Sequence, residues 1–455
     1  HTAYRRQRQM CIRDRFKVEV IEKVLSILEE ELVPAEGCTE PIAIAYAAAK
    51  LTNILGNVPE KIDAYLSGNI VKNVKSVKIP NSDGMVGIEA STAMGAILGD
   101  SSKELMVIAH VDKSRLPEVK KYIEDKKVNV FLNEGDIKLY IRLEGTYGND
   151  TATVEIQHYH TNITKIIKNG VEIKGCSCDE VCSGDVMTDR TFLSVELIYN
   201  LAKTIDLSLI EATFQKVIDY NSAIANEGLT NTYGIAIGKT IKEGMEEGVY
   251  GNDLRNKMAS FASAGSDARM NGCSLPVVTT SGSGNQGMTC SLPVIKFCQE
   301  KGLSKEDMIR GLFFSHMTTI HIKSNIGRLS AYCGAICASA GVAGAISFLS
   351  GLSLKQIGYA IETTLGTMSG VICDGAKSSC ATKIASGISA AFDAYYAASK
   401  DRKFEFGEGI VGKDVEKTIK HVGILGQEGM KITDEVILDL SLIHISEPTR
   451  RVVIS

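Results

Sequence analysis

The sequence has no apolar run of the roughly 18 residues that a membrane-crossing helix needs, so no membrane span is expected. It also has no basic stripe: 50 Lys and Arg residues stand against 54 Asp and Glu residues, a net charge of −4. Nucleic acid is therefore not expected as a partner. No signal peptide, internal repeat or low-complexity linker is recognised. These absences favour a globular cytoplasmic protein.

The two ends of the chain differ in character from the rest. Met10–Asp14 and Leu440–His444 can be encoded by DNA strings that overlap as reverse complements, a pattern typical of a sequencing adapter translated in both directions. Residues 1–15 and 440–455 are therefore expected to be non-native and are left out of the fold prediction. The rest of the chain then carries 43 basic and 52 acidic side chains, a net charge of −9.

Hydrophobic periodicity divides the remaining chain into two predicted domains, of fold class α+β. Residues 16–186 predict a mixed α/β domain with a largely antiparallel sheet, since several strands alternate apolar and polar residues. Helices are predicted at about 85–98 and 114–126. From 187 to 439 strands nearly vanish, and Ala- and Gly-rich stretches predict an all-α domain, compatible with a homodimer and equally with a monomer. The predicted strands are Ala64–Ser67, Leu105–Ile108, Val128–Phe131, Lys138–Leu143 and Thr153–Ile156.

The chain has 12 cysteines, and without a secretory signal they favour free thiols, metal binding or catalysis over disulfides. Cys333, Cys373 and Cys380 lack C-x-x-C spacing, which disfavours a zinc ribbon. Spacing alone leaves metal binding and burial in the core both open for these three. The three cysteines within 176–182 are the runner-up metal site. Core thiols are expected at Cys273, Cys290, Cys298 and Cys337.

Cys38 lies in a loop just before a helix predicted to begin at Pro41. A thiol there feels the positive end of the helix, which lowers a thiol pKa from its usual value of about 8.5. Glu36 and Glu40 lie close by in the sequence and oppose that shift. A reactive thiol and an ordinary loop cysteine therefore both remain open.

Two glycine-rich segments, Thr280–Gly287 and Gly370–Lys377, interrupt the predicted helical domain. Such interruptions allow backbone amides to face a ligand. The first is not a phosphate-binding P-loop, because no Lys-Ser/Thr pair follows its glycines. Both segments are therefore candidate parts of a site for a small molecule.

Four segments taken together carry a resemblance that covers nearly all of residues 17–439: Glu36–Pro41, Ser281–Gly287, Leu329–Gly334 and Ile372–Lys377. They resemble the L-cysteine desulfidase family, which is related to the α-subunit domain of iron–sulfur-dependent L-serine dehydratases. The resemblance implies an oxygen-sensitive [4Fe–4S] cluster and no pyridoxal phosphate.

The resemblance also implies roles for individual residues. It maps the cluster ligands onto Cys333, Cys373 and Cys380, and gives Cys38 a part in catalysis, as the base or as a ligand that substrate displaces from the open iron. The serine dehydratases place a fourth cluster cysteine in their C-terminal tail. No cysteine follows Cys380 here, which favours the desulfidase branch.

The expected reaction is α,β-elimination of L-cysteine to pyruvate, ammonia and hydrogen sulfide. Dehydration of L-serine or L-threonine on the same cluster is the alternative, and a non-catalytic iron–sulfur redox sensor is the third interpretation. Ser283, Asn285 and Gln286 are expected to offer hydroxyl and amide groups to the amino-acid substrate. Lys377 is expected to pair with the substrate carboxylate, and Lys383 is a weaker choice.

The histidines are weaker candidates than these residues. His316 and His321 are expected to be structural. His158 and His160 are expected to alternate along one strand and share one of its faces, with a low chance of touching the substrate.

Overall fold

The computed structural model describes residues 18–446, except residues 134, 136, 175–186 and 328, and leaves the side chains of 441–446 undescribed. The runner-up metal site within 176–182 therefore lies outside the described residues. Within the described part of the chain, no helix is both long and apolar enough to cross a bilayer.

The first half of the described chain is built around a mixed sheet. Strand order is β3-β2-β4-β5-β6-β7, in which β2 and β3 are parallel and the other neighbours are antiparallel. The predicted largely antiparallel sheet is thus confirmed. The strands are β1 (Pro34–Glu36), β2 (Lys61–Ser67), β3 (Val128–Asn133), β4 (Tyr140–Tyr147), β5 (Asp150–Gln157), β6 (Ile163–Lys168) and β7 (Val171–Lys174). The helices are α1 (18–31), α2 (Thr39–Leu55), α3 (Gly68–Val74), α4 (Gly87–Leu98) and α5 (Leu116–Glu124).

The predicted strand at Leu105–Ile108 is wrong. A short 3₁₀ helix occupies Ser101–Met106, and turns follow it. Asp100 starts that helix, because its side chain accepts a hydrogen bond of 3.0 Å from the backbone N–H of Ser102. Ile108 is fully buried, so the apolar residues of this segment reflect burial in the core rather than a strand. Periodicity in so short a run cannot separate a strand from a buried turn.

The second half is almost entirely helical, as predicted. Strand β8 (Pro276–Val278) interrupts it and pairs antiparallel with β1. Small residues bring the helices close: a Cβ on Gly341 of α12 would lie 2.3 Å from Thr319 Oγ1 of α11. The helices are α6 (Val195–Thr204), α7 (Glu211–Thr230), α8 (Ile237–Glu246), α9 (Leu254–Met270), α10 (Gly284–Lys301), α11 (Lys305–Ile326), α12 (Gly334–Leu349), α13 (Leu354–Met368), α14 (Ser379–Ala398), α15 (Val415–Ile424) and α16 (Lys431–Ser446).

Two main hydrophobic cores organise the molecule. One joins the sheet to α2 and its neighbours, and the other fills the helical half. Helix α1 buries Val24 and Ile27 in the helical core, although the helix precedes the sheet in the sequence. The predicted domain boundary after residue 186 falls in the undescribed stretch and stays a prediction. Helix α2 starts beside the helical half, which places its first residues between the two cores.

Candidate functional site

A cavity of about 110 Å³ lies where the start of α2 meets the starts of three helices from the helical half. These four helices have 16 to 20 residues each. The first N–H groups of a helix lack intrahelical partners and carry partial positive charge. The cavity therefore favours anionic groups. From the helix starts it is lined by Cys38, Thr39, Glu40, Ser283, Asn285, Gln286, Cys333, Gly334, Ala335 and Cys380.

The turn before α2 sets the position of Cys38. Gly37 has φ +59°, and a Cβ there would lie 2.3 Å from Pro80, so only glycine fits this turn. Cys38 is the N-cap of α2 and its side chain makes no capping hydrogen bond. Thr39 Oγ1 lies 3.0 Å from the carbonyl oxygen of Gly282, to which it donates. The cysteine loop and the glycine loop before α10 are thereby joined.

Backbone pairing brings two further cysteines together. Tyr332 and Ile372 form an isolated antiparallel bridge. Beside it, the Cys333 N–H donates to Val371 O at 3.2 Å, and the Cys373 N–H donates to Ala331 O at 2.6 Å. Two segments forty residues apart in the sequence thus lie side by side at the cavity.

The three thiols of Cys333, Cys373 and Cys380 line this one cavity and repel one another as thiolates. Burial, with Cys373 and Cys380 adding to it, raises the pKa of Cys333 to about 12. Burial and then Cys373 raise the pKa of Cys380 to about 11. Buried thiols of this kind become thiolates only beside a strong positive partner such as a metal.

Among the described residues, no three His, Cys, Asp or Glu side chains are arranged to hold a single metal ion. An iron–sulfur cluster makes a different demand, because its thiolates bind different irons. The three cysteines fit such a cluster in donor type and in facing one cavity.

Three buried cations also line the cavity: Lys72, Arg269 and Lys323, each at most 5% exposed. Lys72 Nζ pairs with Asp434 Oδ1 at 2.7 Å. No Asp or Glu among the described residues lies within 4.0 Å of the charged nitrogens of Arg269 or Lys323. Burial lowers the pKa of Lys323, while the charges of Cys337, Cys373 and Cys333 oppose that shift. Two of the three basic residues that line the cavity thus have no acidic partner among the described residues.

Glu40 is the acidic group of the cavity. Its carboxylate accepts a hydrogen bond of 3.0 Å from Asn73, and Thr39 Oγ1, whose proton goes to Gly282 O, lies 3.1 Å away. His160 Nε2 lies 3.9 Å away, too far for a hydrogen bond. Burial alone would raise the pKa of Glu40, but His160, the backbone N–H and Asn73 lower it to about 2. Glu40 therefore stays ionised at neutral pH.

Comparison with known proteins identifies the family of the chain. The family model described as serine dehydratase alpha chain matches residues 102–439. The chain belongs to the serine dehydratase alpha chain family. A UPF0597 protein of Fusobacterium nucleatum is 60% identical over 420 residues, covering 92% of this chain and 98% of that protein. UPF0597 proteins of Desulfitobacterium hafniense and Treponema denticola are 44% and 43% identical over 92% of this chain, and are covered to 96% and 98%. The family relationship expected from the four sequence segments is thereby confirmed.

Most of the residues predicted for the site lie together in this member of the family. The cavity is lined by Cys38, Ser283, Asn285, Gln286, Cys333, Cys373 and Cys380. Lys377 does not line it, and Lys383 forms an ion pair with Asp374. The catalytic, ligand-binding and metal-binding roles of these residues stay predictions.

The pKa of Cys38 departs from the lowering that a helix start favours. Burial raises it to about 12, Arg269 lowers it, and Glu40 and Cys380 raise it further. The thiol is only 2% exposed and its Sγ lies 3.9 Å from Met270 Sδ. Burial therefore outweighs the helix end at this position.

The expectation that His158 and His160 share one strand face is wrong. Strand β5 ends at Gln157, and His158 has φ +66°, so the chain turns away before His160. His160 is buried and lines the cavity. Outside it, His316 Nδ1 lies 2.8 Å from Thr280 Oγ1, and His321 Nε2 lies 2.8 Å from Glu416 Oε2.

Sequence reasoning missed Arg269, Lys323 and the ion pair of Lys72 with Asp434. Lys323 follows Ile320 and Ile322 in the sequence, whereas Lys72 and Arg269 have polar neighbours such as Asn73 and Asp267. Since Lys and Arg are almost never fully buried unless paired, a cation beside apolar residues was an available signal for Lys323 alone. The contacts that place these cations at the cavity come from distant parts of the chain.

Proposed function

We propose that the protein catalyses an iron–sulfur-dependent α,β-elimination of L-cysteine to pyruvate, ammonia and hydrogen sulfide, without pyridoxal phosphate. The observation that carries this proposal is the grouping of Cys333, Cys373 and Cys380 with Cys38 around one small cavity that buried basic side chains also line. Membership of the serine dehydratase alpha chain family supports a lyase of this type.

The residues that would hold a [4Fe–4S] cluster are Cys333, Cys373 and Cys380, because thiolates are the usual ligands of such clusters. When bound, the cluster would supply an iron without a protein ligand, a Lewis acid that stabilises negative charge on the substrate. The four helix starts around the cavity would favour the thiolate form of the ligands.

The chain's own residues would select and position the substrate. A cavity of about 110 Å³ is on the scale of a small amino acid. The buried guanidinium of Arg269, which has no acidic partner among the described residues, attracts the carboxylate of a zwitterionic amino acid. Ser283, Asn285 and Gln286 add hydroxyl and amide groups, and Gln286 Oε1 is buried without a hydrogen-bond partner among the described residues.

The elimination needs a base within reach of the α-carbon. Cys38 is our candidate, although burial raises the pKa of its thiol, so its basic form depends on positive charge beside it. The base takes the α-proton, the β-sulfur leaves as sulfide, and the aminoacrylate takes up water to give pyruvate and ammonia. The rival role of Cys38 is that of a ligand displaced by substrate.

Dehydration of L-serine or L-threonine is the second candidate, favoured by the description of the matching family. L-Serine differs from L-cysteine only at the leaving atom, so the same cavity can accommodate either; L-threonine carries an additional β-methyl group. A non-catalytic redox sensor is disfavoured, because a sensor has no need for buried cations without acidic partners around a small cavity.

The test is anaerobic. The protein is reconstituted with iron and sulfide and supplied with L-cysteine, L-serine and L-threonine in separate reactions, while released sulfide and keto acid are measured. Equal amounts of sulfide and pyruvate from L-cysteine, lost on exposure to air, support the desulfidase. Keto acid formed only from L-serine or L-threonine supports the dehydratase instead, and no turnover of any of them rejects both. The variant Cys38→Ala should retain iron and lose turnover.

A further inference from the structure

Arg269 is the last-turn arginine of α9 and stands at the cavity with an unusual set of neighbours. It is 3% exposed, and its Nη1 donates a hydrogen bond of 3.2 Å to Asn285 Oδ1. The same Asn285 oxygen lies 3.3 Å from Ser266 Oγ, and Asn285 Nδ2 lies 3.4 Å from Met270 Sδ. Asn285 is therefore fixed on three sides and holds the guanidinium in one place.

The described residues satisfy only part of the hydrogen-bonding capacity of the Arg269 guanidinium. Its Nε is buried and has no hydrogen-bond partner among the described residues, and no described acid pairs with it. A buried charge without a counter-charge is costly, and proteins retain one where a ligand supplies the missing charge. The missing partner must be an anion able to meet the flat, fork-shaped donors of arginine.

The start of α10 completes this arrangement. A Cβ on Gly284 would lie 2.5 Å from Arg269 Nε and 2.6 Å from its Cζ, so the guanidinium packs directly over the first residue of α10. The first N–H groups of that 18-residue helix favour the same kind of anion. Two independent features, a buried arginine and a helix start, thus converge on one anion.

We propose that Arg269, held by Asn285 over the start of α10, binds the α-carboxylate of the substrate and makes the cavity selective for amino acids with a free carboxylate. Carboxylates match the arginine fork with two parallel hydrogen bonds. This inference rests on the proposed function, whose carboxylate partner was expected to be Lys377. Lys377 does not line the cavity, and arginine takes its place.

The choice of Arg269 over Lys323 follows from their neighbours. Arg269 directly precedes Met270, whose Sδ lies 3.9 Å from Cys38 Sγ, and the charge of Arg269 acts on that thiol. The charge of Lys323 acts instead on Cys337, Cys373 and Cys333. A carboxylate on Arg269 therefore brings the α-carbon toward Cys38, the proposed base.

The test compares L-cysteine with its methyl ester, which lacks the negative carboxylate. In Arg269→Gln, kcat/KM for L-cysteine should fall by roughly 100-fold, the effect expected when one partner of a buried charged pair is removed. In the same variant, kcat/KM for the methyl ester should change by less than about threefold, so that the preference for the free acid over the ester is lost. Arg269→Lys keeps the charge and should recover part of the loss. Equal losses on acid and ester, or unchanged selectivity, would overturn the proposal.

The matched control is Arg255→Gln, on the same helix. Arg255 is half-exposed, pairs with Asp393 at 3.0 Å and lies outside the cavity. It should leave both substrates and the iron content unchanged. If Arg269→Gln does not fold, Arg269→Lys against the ester series decides the question.

A binding measurement separates this proposal from the proposed function. L-Alanine has no leaving group, and its binding raises the melting temperature by mass action whether or not the protein turns anything over. Millimolar L-alanine should raise the melting temperature of the wild type, and alaninamide should not. If the wild type binds L-alanine but turns over no amino acid, and Arg269→Gln no longer binds L-alanine, the elimination is rejected and the carboxylate site is retained. Equal shifts with alanine and alaninamide would reject the carboxylate site itself.

Discussion

Replacing Asp434 by Asn should destabilise the protein by about 3 kcal/mol, because it leaves a buried ammonium without its counter-charge. Lys72 Nζ and Asp434 Oδ1 are 2.7 Å apart, and their side chains are 3% and 12% exposed. Breaking a buried pair costs about 3–5 kcal/mol, and the partial exposure of Asp434 places this pair at the lower end. Asp434 Oδ2 also accepts a hydrogen bond of 3.0 Å from the Ala331 N–H, next to the cluster segment.

A double-mutant cycle tests the coupling of these two residues. The cycle comprises Lys72→Met, Asp434→Leu and the double variant, which removes both charges together and should cost only about 1–2 kcal/mol, mainly the lost hydrogen bond to Ala331. The double variant should therefore be more stable than Asp434→Asn alone. The assay is urea unfolding at neutral pH, followed by circular dichroism and tyrosine fluorescence, since the chain has no tryptophan. Losses that simply add from the single variants to the double variant would contradict the buried pair.

Two further predictions concern Gly287, which follows the cavity residue Gln286 in α10, and Glu40, which lines the cavity. Gly287→Ala should destabilise the protein by about 2 kcal/mol or more, because its Cβ would lie 2.0 Å from the backbone oxygen of Val278; Gly358→Ala, whose Cβ would meet only ordinary contacts at 3.6 Å, is the helical control in the same urea assay. Glu40→Gln should flatten the acid limb of the stability profile. The folded protein lowers the pKa of Glu40 from 4.5 to about 2, so this carboxylate contributes stability above pH 4.5 that is lost as the pH falls toward 2. The contribution is at most about 3 kcal/mol, and urea midpoints that depend on pH identically in both proteins would show that Glu40 contributes none of it.

Local sequence signals predicted the elements but not the contacts between them. The helix after Cys38 and the sheet strands follow from Pro41 and from alternation of apolar residues. The hairpin of β6 and β7 was missed, although Asn169-Gly170 carries the turn signal: both residues have positive φ, 50° and 77°. The apolar run at Leu105–Ile108 gave a wrong strand prediction, because a short buried segment without periodicity can be a strand, a helix or a turn.

The site shows the same limit more sharply. Spacing left Cys333, Cys373 and Cys380 undecided between a core and a metal site, and only resemblance selected them. What joins Cys333 to Cys373 is the bridge between Tyr332 and Ile372, a long-range pairing with no local signal. The place of Arg269 in the site could not be predicted for the same reason, since it depends on contacts with Asn285 and Gly284 of another helix.

The proposal that Cys333, Cys373 and Cys380 hold a cluster is tested by counting iron and acid-labile sulfide per chain after anaerobic reconstitution. The wild type should bind about four of each, and Cys333→Ser, Cys373→Ser and Cys380→Ser should each lose the cluster and the elimination activity. Cys298→Ser is the matched control, because Cys298 is fully buried in α10 and does not line the cavity. Loss of iron in the three cavity variants and not in the control is the expected result. Wild-type iron and sulfide in any of the three, or no iron in the wild type, would contradict the proposed cluster site.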